Sequence, residues 1–243
     1  MEKREKLYEG KAKVLYATDN PDLVIQYFKD DATAFNAQKK GSIKEKGIYN
    51  NRISSFIFQA LSKTGNISTH FVQQLNDREM LVKKVDIIPV EVVVRNRVAG
   101  SLAKRFGMEE GKHLLRPILE FYYKSDELGD PMVNEDHIAV FNLAAQEEIE
   151  QVKEVSLAVN SLLKDWFQKI GISLVDFKLE FGRHHDQILL ADEITPDGCR
   201  LWDIETEEKL DKDRFRRDLG KIEEAYQEVY RRISERAEYF HEL

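Results

Sequence analysis

Strict alternation of apolar and charged residues over 174–181 is the most regular pattern in the chain. Val175, Phe177, Leu179 and Phe181 fall on one parity and Asp176, Lys178 and Glu180 on the other, as in a half-buried strand. A second apolar run at 188–194 follows Gly182 and the polar link 183–187, so the pair predicts an antiparallel hairpin. If even-numbered residues keep one face through the turn, Asp192 joins Asp176, Lys178 and Glu180, with Ile188, Leu190 and Ile194 flanking the carboxylates. Carboxylates half-buried in this way need a cation, because unpaired like charges away from water are costly. A solvated edge face is the alternative. The functional reading is a Mg2+-nucleotide site, since Mg2+ takes one or two carboxylates plus phosphate oxygens.

Upstream, apolar runs at 7–16 and 23–28 flank Ala17-Thr18-Asp19-Asn20-Pro21, a turn signature, and predict an opening hairpin. Its first strand contains Gly10, Lys11, Ala12 and Lys13. On an extended segment the two lysines project to one side, beside a glycine that admits a ligand closely; the same lysines suit a plain surface strand. No GxxxxGK[ST] or GxGxxG occurs, so a P-loop or Rossmann site is not supported. After a polar link at 39–46, Ile53, Phe56, Ile57, Ala60 and Leu61 recur at helical spacing up to Gly65. Residues 80–85 read as a strand with Lys83 and Lys84. A link at Asp86 then opens a second unit, dividing the chain into 1–85 and 86–243 with a ligand crevice between them.

Residues 87–97 form a β-branched strand with Glu91, Arg95 and Arg97 on one face. It leads to a short helix with Ser101 as N-cap and Gly107 as its stop. These are the parts of an anion site, and equally those of a capped helix whose arginine pairs with Glu91. Residues 116–131, with Lys124, Asp126 and Asp130, read as an irregular aromatic-rich segment bordering a site. Ile149, Val152, Ser156, Val159, Leu163, Trp166 and Ile170 predict a long amphipathic helix. Pro196-Asp197-Gly198 predicts a turn delivering Arg200 and Asp203. From an N-cap at Asp211, the residues Phe215, Leu219, Ile222, Tyr226, Val229 and Ile233 predict one packing or dimerising helix.

Composition narrows the function. The 243 residues carry a net charge of −7 with acids and bases interspersed, so nucleic acid is not an expected partner. A single cysteine, Cys199, excludes a disulfide framework within the chain and suits the cytosol. The charged N-terminal stretch is not a secretory signal, and no apolar run approaches the ~20 residues of a membrane span.

IIPVEVVVRNRVAGS at 87–101 and LVDFKLEFG at 174–182 resemble the two signature motifs of the SAICAR synthetase family of purine biosynthesis. The resemblance runs from LYEGKAK at 7–13 to DKDRFR at 211–216. It implies an α+β fold. An N-terminal antiparallel sheet lobe, similar to ATP-grasp and kinase nucleotide-binding lobes, covers a larger α+β unit, with the ATP cleft between them and a C-terminal helix. It also implies ATP-dependent joining of L-aspartate to a carboxylated aminoimidazole ribonucleotide, through a carboxylate activated as an acyl phosphate. On that basis Gly10, Lys11, Ala12, Lys13 and Lys83 would bind ATP, Glu180 and Asp192 would hold Mg2+, and Lys178 would neutralise transferring charge. Arg95, Ser101 and Arg200 would grip the ribonucleotide phosphate, and Lys124 and Asp130 would lie at the aspartate or imidazole end. Asp176 would orient the amine or bind a second Mg2+. A cytoplasmic homodimer acting on small molecules, without membrane or nucleic acid, completes the expectation. Cys199 departs from the family's DGSRLWD, a small-for-small change, and the run Arg183-His184-His185-Asp186 reads as a solvated turn. A non-catalytic nucleotide binder and a small-molecule kinase are competing readings.

Overall fold

A computed structural model describes residues 2–34 and 39–240. The first apolar run does not stay one strand. The Gly10 N–H donates to the Lys13 carbonyl at 2.9 Å, a turn that divides the run into β1 (Lys3–Glu9) and β2 (Lys13–Thr18). Lys11 therefore sits at a hairpin tip. β2 then makes the expected hairpin with β3 (Leu23–Phe28). The polar link at 39–46 also holds a strand, since β4 (Asp31–Ala34) pairs with β5 (Lys39–Ser42).

Four-residue spacing of Ile53, Ile57 and Leu61 gives α1 (Lys46–Lys63) one apolar stripe, all of it buried. β6 (Phe71–Gln74) and β7 (Glu79–Lys83) complete an antiparallel sheet of order β1-β2-β3-β7-β6. The first residue of α1 makes a buried ion pair. Lys46 Nζ is 2.6 Å from Asp197 Oδ2, and Tyr226 OH donates to Asp197 Oδ1 at 2.5 Å. Lys46→Met strands that carboxylate away from water, so a destabilisation of about 3–5 kcal/mol is expected, read from the urea midpoint at constant m.

The second sheet is built around one strand. After β8 (Asp86–Ile87), β9 (Val90–Arg97) buries Val90, Val92 and Val94. α2 (Gly100–Phe106) starts from an N-cap at Ala99, with Ser101 inside the first turn rather than capping it; Gly107 at φ 59° ends it as expected. The first half of the stretch read as irregular, 116–123, belongs to β10 (His113–Tyr123), and 124–131 leaves the sheet. Pro117 hid the strand: it lacks an N–H and falls between His113 and Ile118, where pairing with β9 shifts register. β11 (Met132–Val133) and α3 (Glu135–Val140) lead into α4 (Gln146–Lys169). There Glu148 accepts the Ala145 N–H at 2.8 Å, and Ile149, Val152, Val159, Leu163 and Trp166 are buried.

The thirteen-residue β12 (Ile172–His184) has β9 and β8 along one edge and, along the other, β13 (Gln187–Ala191) and β14 (Cys199–Asp203). Gly182 is required here, because a Cβ would come within 2.6 Å of Val85 Cγ2. The expected hairpin forms, and His184 and His185 occupy its tip. Its parity differs from expectation, however. Glu180 pairs with Ala191 and Phe181 with Leu190, so Leu190 lies on the apolar side. Asp192 reaches the carboxylates by leaving the strand at φ 65°.

The expected single C-terminal helix is two, α5 (Asp213–Arg216) and α6 (Ile222–Glu235). Gly220 and Lys221 at positive φ break it, leaving Leu219 47% exposed. α6 packs on α1. Side chains of α1, β9, α4, β12 and α6 form one continuous core.

Candidate active site

The cleft between the two sheets has a volume of about 450 Å³. β12 presents Asp176, Lys178 and Glu180 to it, β9 presents Glu91, Val93 and Arg95, and the β1–β2 turn supplies Gly10, Lys11, Ala12 and Lys13. Lys124 and Asp130 enter from the irregular segment and Asp192 and Glu193 from the bend after β13.

At one end, ammonium groups interleave with carboxylates. Lys178 Nζ lies 2.8 Å from Glu91 Oε1, 2.5 Å from Glu180 Oε1 and 4.0 Å from Asp192 Oδ2. Lys124 Nζ is 3.0 Å from Glu180 Oε1. Lys13 bonds Asp192 and lies 3.0 Å from Glu193 Oε1. Burial alone would lower the Lys178 pKa, but Glu180, Asp192 and Glu91 hold it well above its ordinary value. Burial would likewise raise Glu180, yet Lys178, Lys124 and Lys13 hold it well below the carboxylate range. Asp192 is pushed up by burial and by Glu180 beside it. Four carboxylates thus face three ammonium groups, leaving one negative charge over. At the mouth, Lys11 pairs with Asp126 at 2.7 Å.

The other end is an arginine patch. Arg95 donates to Asp176 Oδ2 at 2.7 Å, Glu120 Oε2 at 2.6 Å and Ser101 Oγ at 2.8 Å. Arg200 donates to Asp176 Oδ2 at 3.0 Å and to Asp213 Oδ2 at 3.0 Å. Gly100, at φ 52°, lets α2 start against the Arg200 guanidinium, where a Cβ would lie 2.5 Å from Nη2.

Most residues singled out in the sequence line this cleft; two do not. Lys83 stands opposite Leu23 in the β3–β7 pairing, while Lys13 stands opposite Phe28, roughly 17 Å away along β3. Ser101 supports Arg95 from outside the lining. Arg95 pairs with Glu120 and Asp176 rather than Glu91. Both oxygens of Asp176 are taken by guanidinium groups, which leaves its proposed metal or amine role without support in this geometry. Sequence reading missed Glu193, Asp197, Lys212 and Arg216 as lining residues. The signal for the last two was the DKDRFR segment, in which they stand four apart.

An α+β chain with a lysine–carboxylate cluster and an arginine patch in one cleft is of a class that handles polyanionic small molecules. The SAICAR synthetase profile matches residues 6–233, and the chain belongs to that family. It is 62% identical over 236 residues to the phosphoribosylaminoimidazole-succinocarboxamide synthase of Magnetococcus marinus, covering 96% of this chain and 97% of that one. The crystal structure of the synthase of that name from Ehrlichia chaffeensis matches with a TM-score of 0.93 at 53% identity, over 95% of this chain and 98% of that one. A SAICAR synthetase solved in complex with ADP matches with a TM-score of 0.91 at 50% identity, over 95% and 97%. Among the described residues no helix is long and apolar enough to cross a membrane.

Proposed function

We propose that this chain is an ATP-dependent ligase of purine biosynthesis. It joins the amine of L-aspartate to the carboxylate of 5-amino-1-(5-phosphoribosyl)imidazole-4-carboxylate, giving the succinocarboxamide, ADP and phosphate. The observation that carries this reading is the division of one cleft into a lysine–carboxylate end and an arginine end. A nucleotide triphosphate and a phosphate ester need such separate seats. That a half-identical relative was solved in complex with ADP supports the use of ATP.

Lys11, Lys13 and the Gly10–Ala12 turn bind the ATP phosphates in this reading, and Lys178 stabilises the charge that develops during transfer. Glu180 and Asp192 would hold Mg2+. An all-oxygen donor set with one uncompensated negative charge fits a hard cation that takes only one or two carboxylates, although no group of three or more metal-ligating side chains occurs among the described residues. When bound, Mg2+ would neutralise phosphate oxygens. Arg95 and Arg200 grip the ribonucleotide's phosphate, aligned by Asp176 between them and by Ser101 behind Arg95. Lys124 and Asp130 border the imidazole. Residues 1–85 act as the nucleotide-covering lobe and 86–243 as the substrate lobe. The reading includes a cytoplasmic homodimer, checked by solution mass at working concentration.

ADP release by the purified chain tests the activity: it should require both the ribonucleotide and L-aspartate. Release with the ribonucleotide alone at the full rate would make the protein a kinase. Arg95→Met and Arg200→Met should each weaken ribonucleotide binding by about 1.5–3 kcal/mol and leave ATP affinity within about twofold. Loss of ATP affinity instead would exchange the two seats.

A further inference from the structure

Lys212 and Arg216, four residues apart, line the cleft next to the Asp197 turn. Lys212 is a cation short of a partner. Its side chain is only 14% exposed, and among the described residues a single carboxylate lies within 4.0 Å of Nζ, Asp197 Oδ2 at 3.9 Å. That carboxylate is already engaged by Lys46 at 2.6 Å and by the Tyr226 hydroxyl at 2.5 Å. Burial, with Lys46 and Arg216 nearby, pushes the Lys212 ammonium below its ordinary pKa despite Asp197. An anion beside it would reverse that penalty. Arg216 donates through Nη1 to Asp213 Oδ1 at 2.5 Å and is 28% exposed, so its fork remains accessible from the cleft.

The cleft's other cations are spoken for by chemistry of different shape. Arg95 and Arg200 share Asp176 and form the phosphate-ester seat, Lys13, Lys124 and Lys178 pair with the acids at the nucleotide end, and Lys11 pairs with Asp126 at the mouth. The amino-acid substrate brings two carboxylates and needs cations of its own. A guanidinium edge beside an ammonium matches a planar carboxylate. We propose that Lys212 and Arg216 form the subsite that takes a carboxylate of the amino-acid substrate. The inference rests on the ligase reading, with L-aspartate as that substrate.

The test starts with the native chain, whose ADP release must depend on L-aspartate; if it does not, the ligase reading fails and this inference with it. Given that dependence, Lys212→Met and Arg216→Met should each raise KM for L-aspartate roughly ten- to hundredfold, with KM for ATP and for the ribonucleotide within about twofold. Succinate, a dicarboxylate without the amine, should compete with L-aspartate, and its inhibition constant should rise in parallel. Lys212→Arg, which keeps the charge, should recover most of the loss. Unchanged aspartate KM overturns the proposal, and so does a shift confined to the ribonucleotide KM, which would assign the pair to the phosphate ester. If either methionine variant fails to fold, Lys212→Gln and Arg216→Gln, which also remove the charge, carry the same comparison.

Discussion

Asp192→Asn is expected to lower kcat by about two to four orders of magnitude while the protein stays folded, the scale of losing a preorganised charge beside a transferring phosphate. The fold should tolerate it for local reasons. Asp192 sits at φ 65°, a region that asparagine enters readily, and its carbonyl accepts from Gln26 Nε2 at 3.2 Å, a bond the substitution leaves intact. Lys13 loses its anionic partner at 192 but keeps Glu193 at 3.0 Å, so the ammonium stays near its place. What disappears is one negative charge among Glu91, Glu180 and Glu193. The measurement is kcat across a Mg2+ titration, with Tm as the check on folding. Turnover near the native level at low Mg2+ would remove Asp192 from the metal site and leave it as a tether for Lys13.

That Asp192 belongs to the cluster was legible in the sequence, yet the reason given for it was wrong. Alternation over β12 placed Asp176, Lys178 and Glu180 on one face because each strand residue inverts the side. Parity cannot be carried past a strand end, and a residue at positive φ breaks it; the Glu180–Ala191 pairing would have turned Asp192 toward Phe181 had the strand continued. β10 is hard to read in the sequence for a related reason: Pro117 lies at a register shift, and regular pairing with β9 resumes only at Ile118. At the C-terminus the apolar period runs on through Leu219, so nothing in hydrophobicity marks the break; backbone conformation at Gly220 and Lys221 does. Lys212 and Arg216 escaped notice because charges near a helix normally face water. Only the fold brings them against the Asp197 turn.

18O placed in the imidazole carboxylate should appear in inorganic phosphate during turnover with L-aspartate, one labelled oxygen per product formed. A carboxylate is a poor electrophile at neutral pH, so one of its oxygens must become a leaving group before an amine can displace it. The chain's single thiol offers no covalent route: Cys199 is buried in the core and does not line the cleft, and burial together with Asp176 and Asp211 pushes its pKa well above the usual value, leaving no thiolate to attack. The cleft does offer lysines set against carboxylates where a γ-phosphoryl group would move, with Lys178 fully charged at any working pH. Transfer of that group to a carboxylate oxygen forms an O–P bond as the bond to ADP breaks. Attack by the amine then forms the C–N bond and releases the same oxygen on phosphate, so the label must follow. Mass spectrometry of the released phosphate reads it directly. Unlabelled phosphate would mean that ATP is spent elsewhere, on another substrate group or on a conformational step, and the carboxylate would have to be activated without ever bonding to phosphorus.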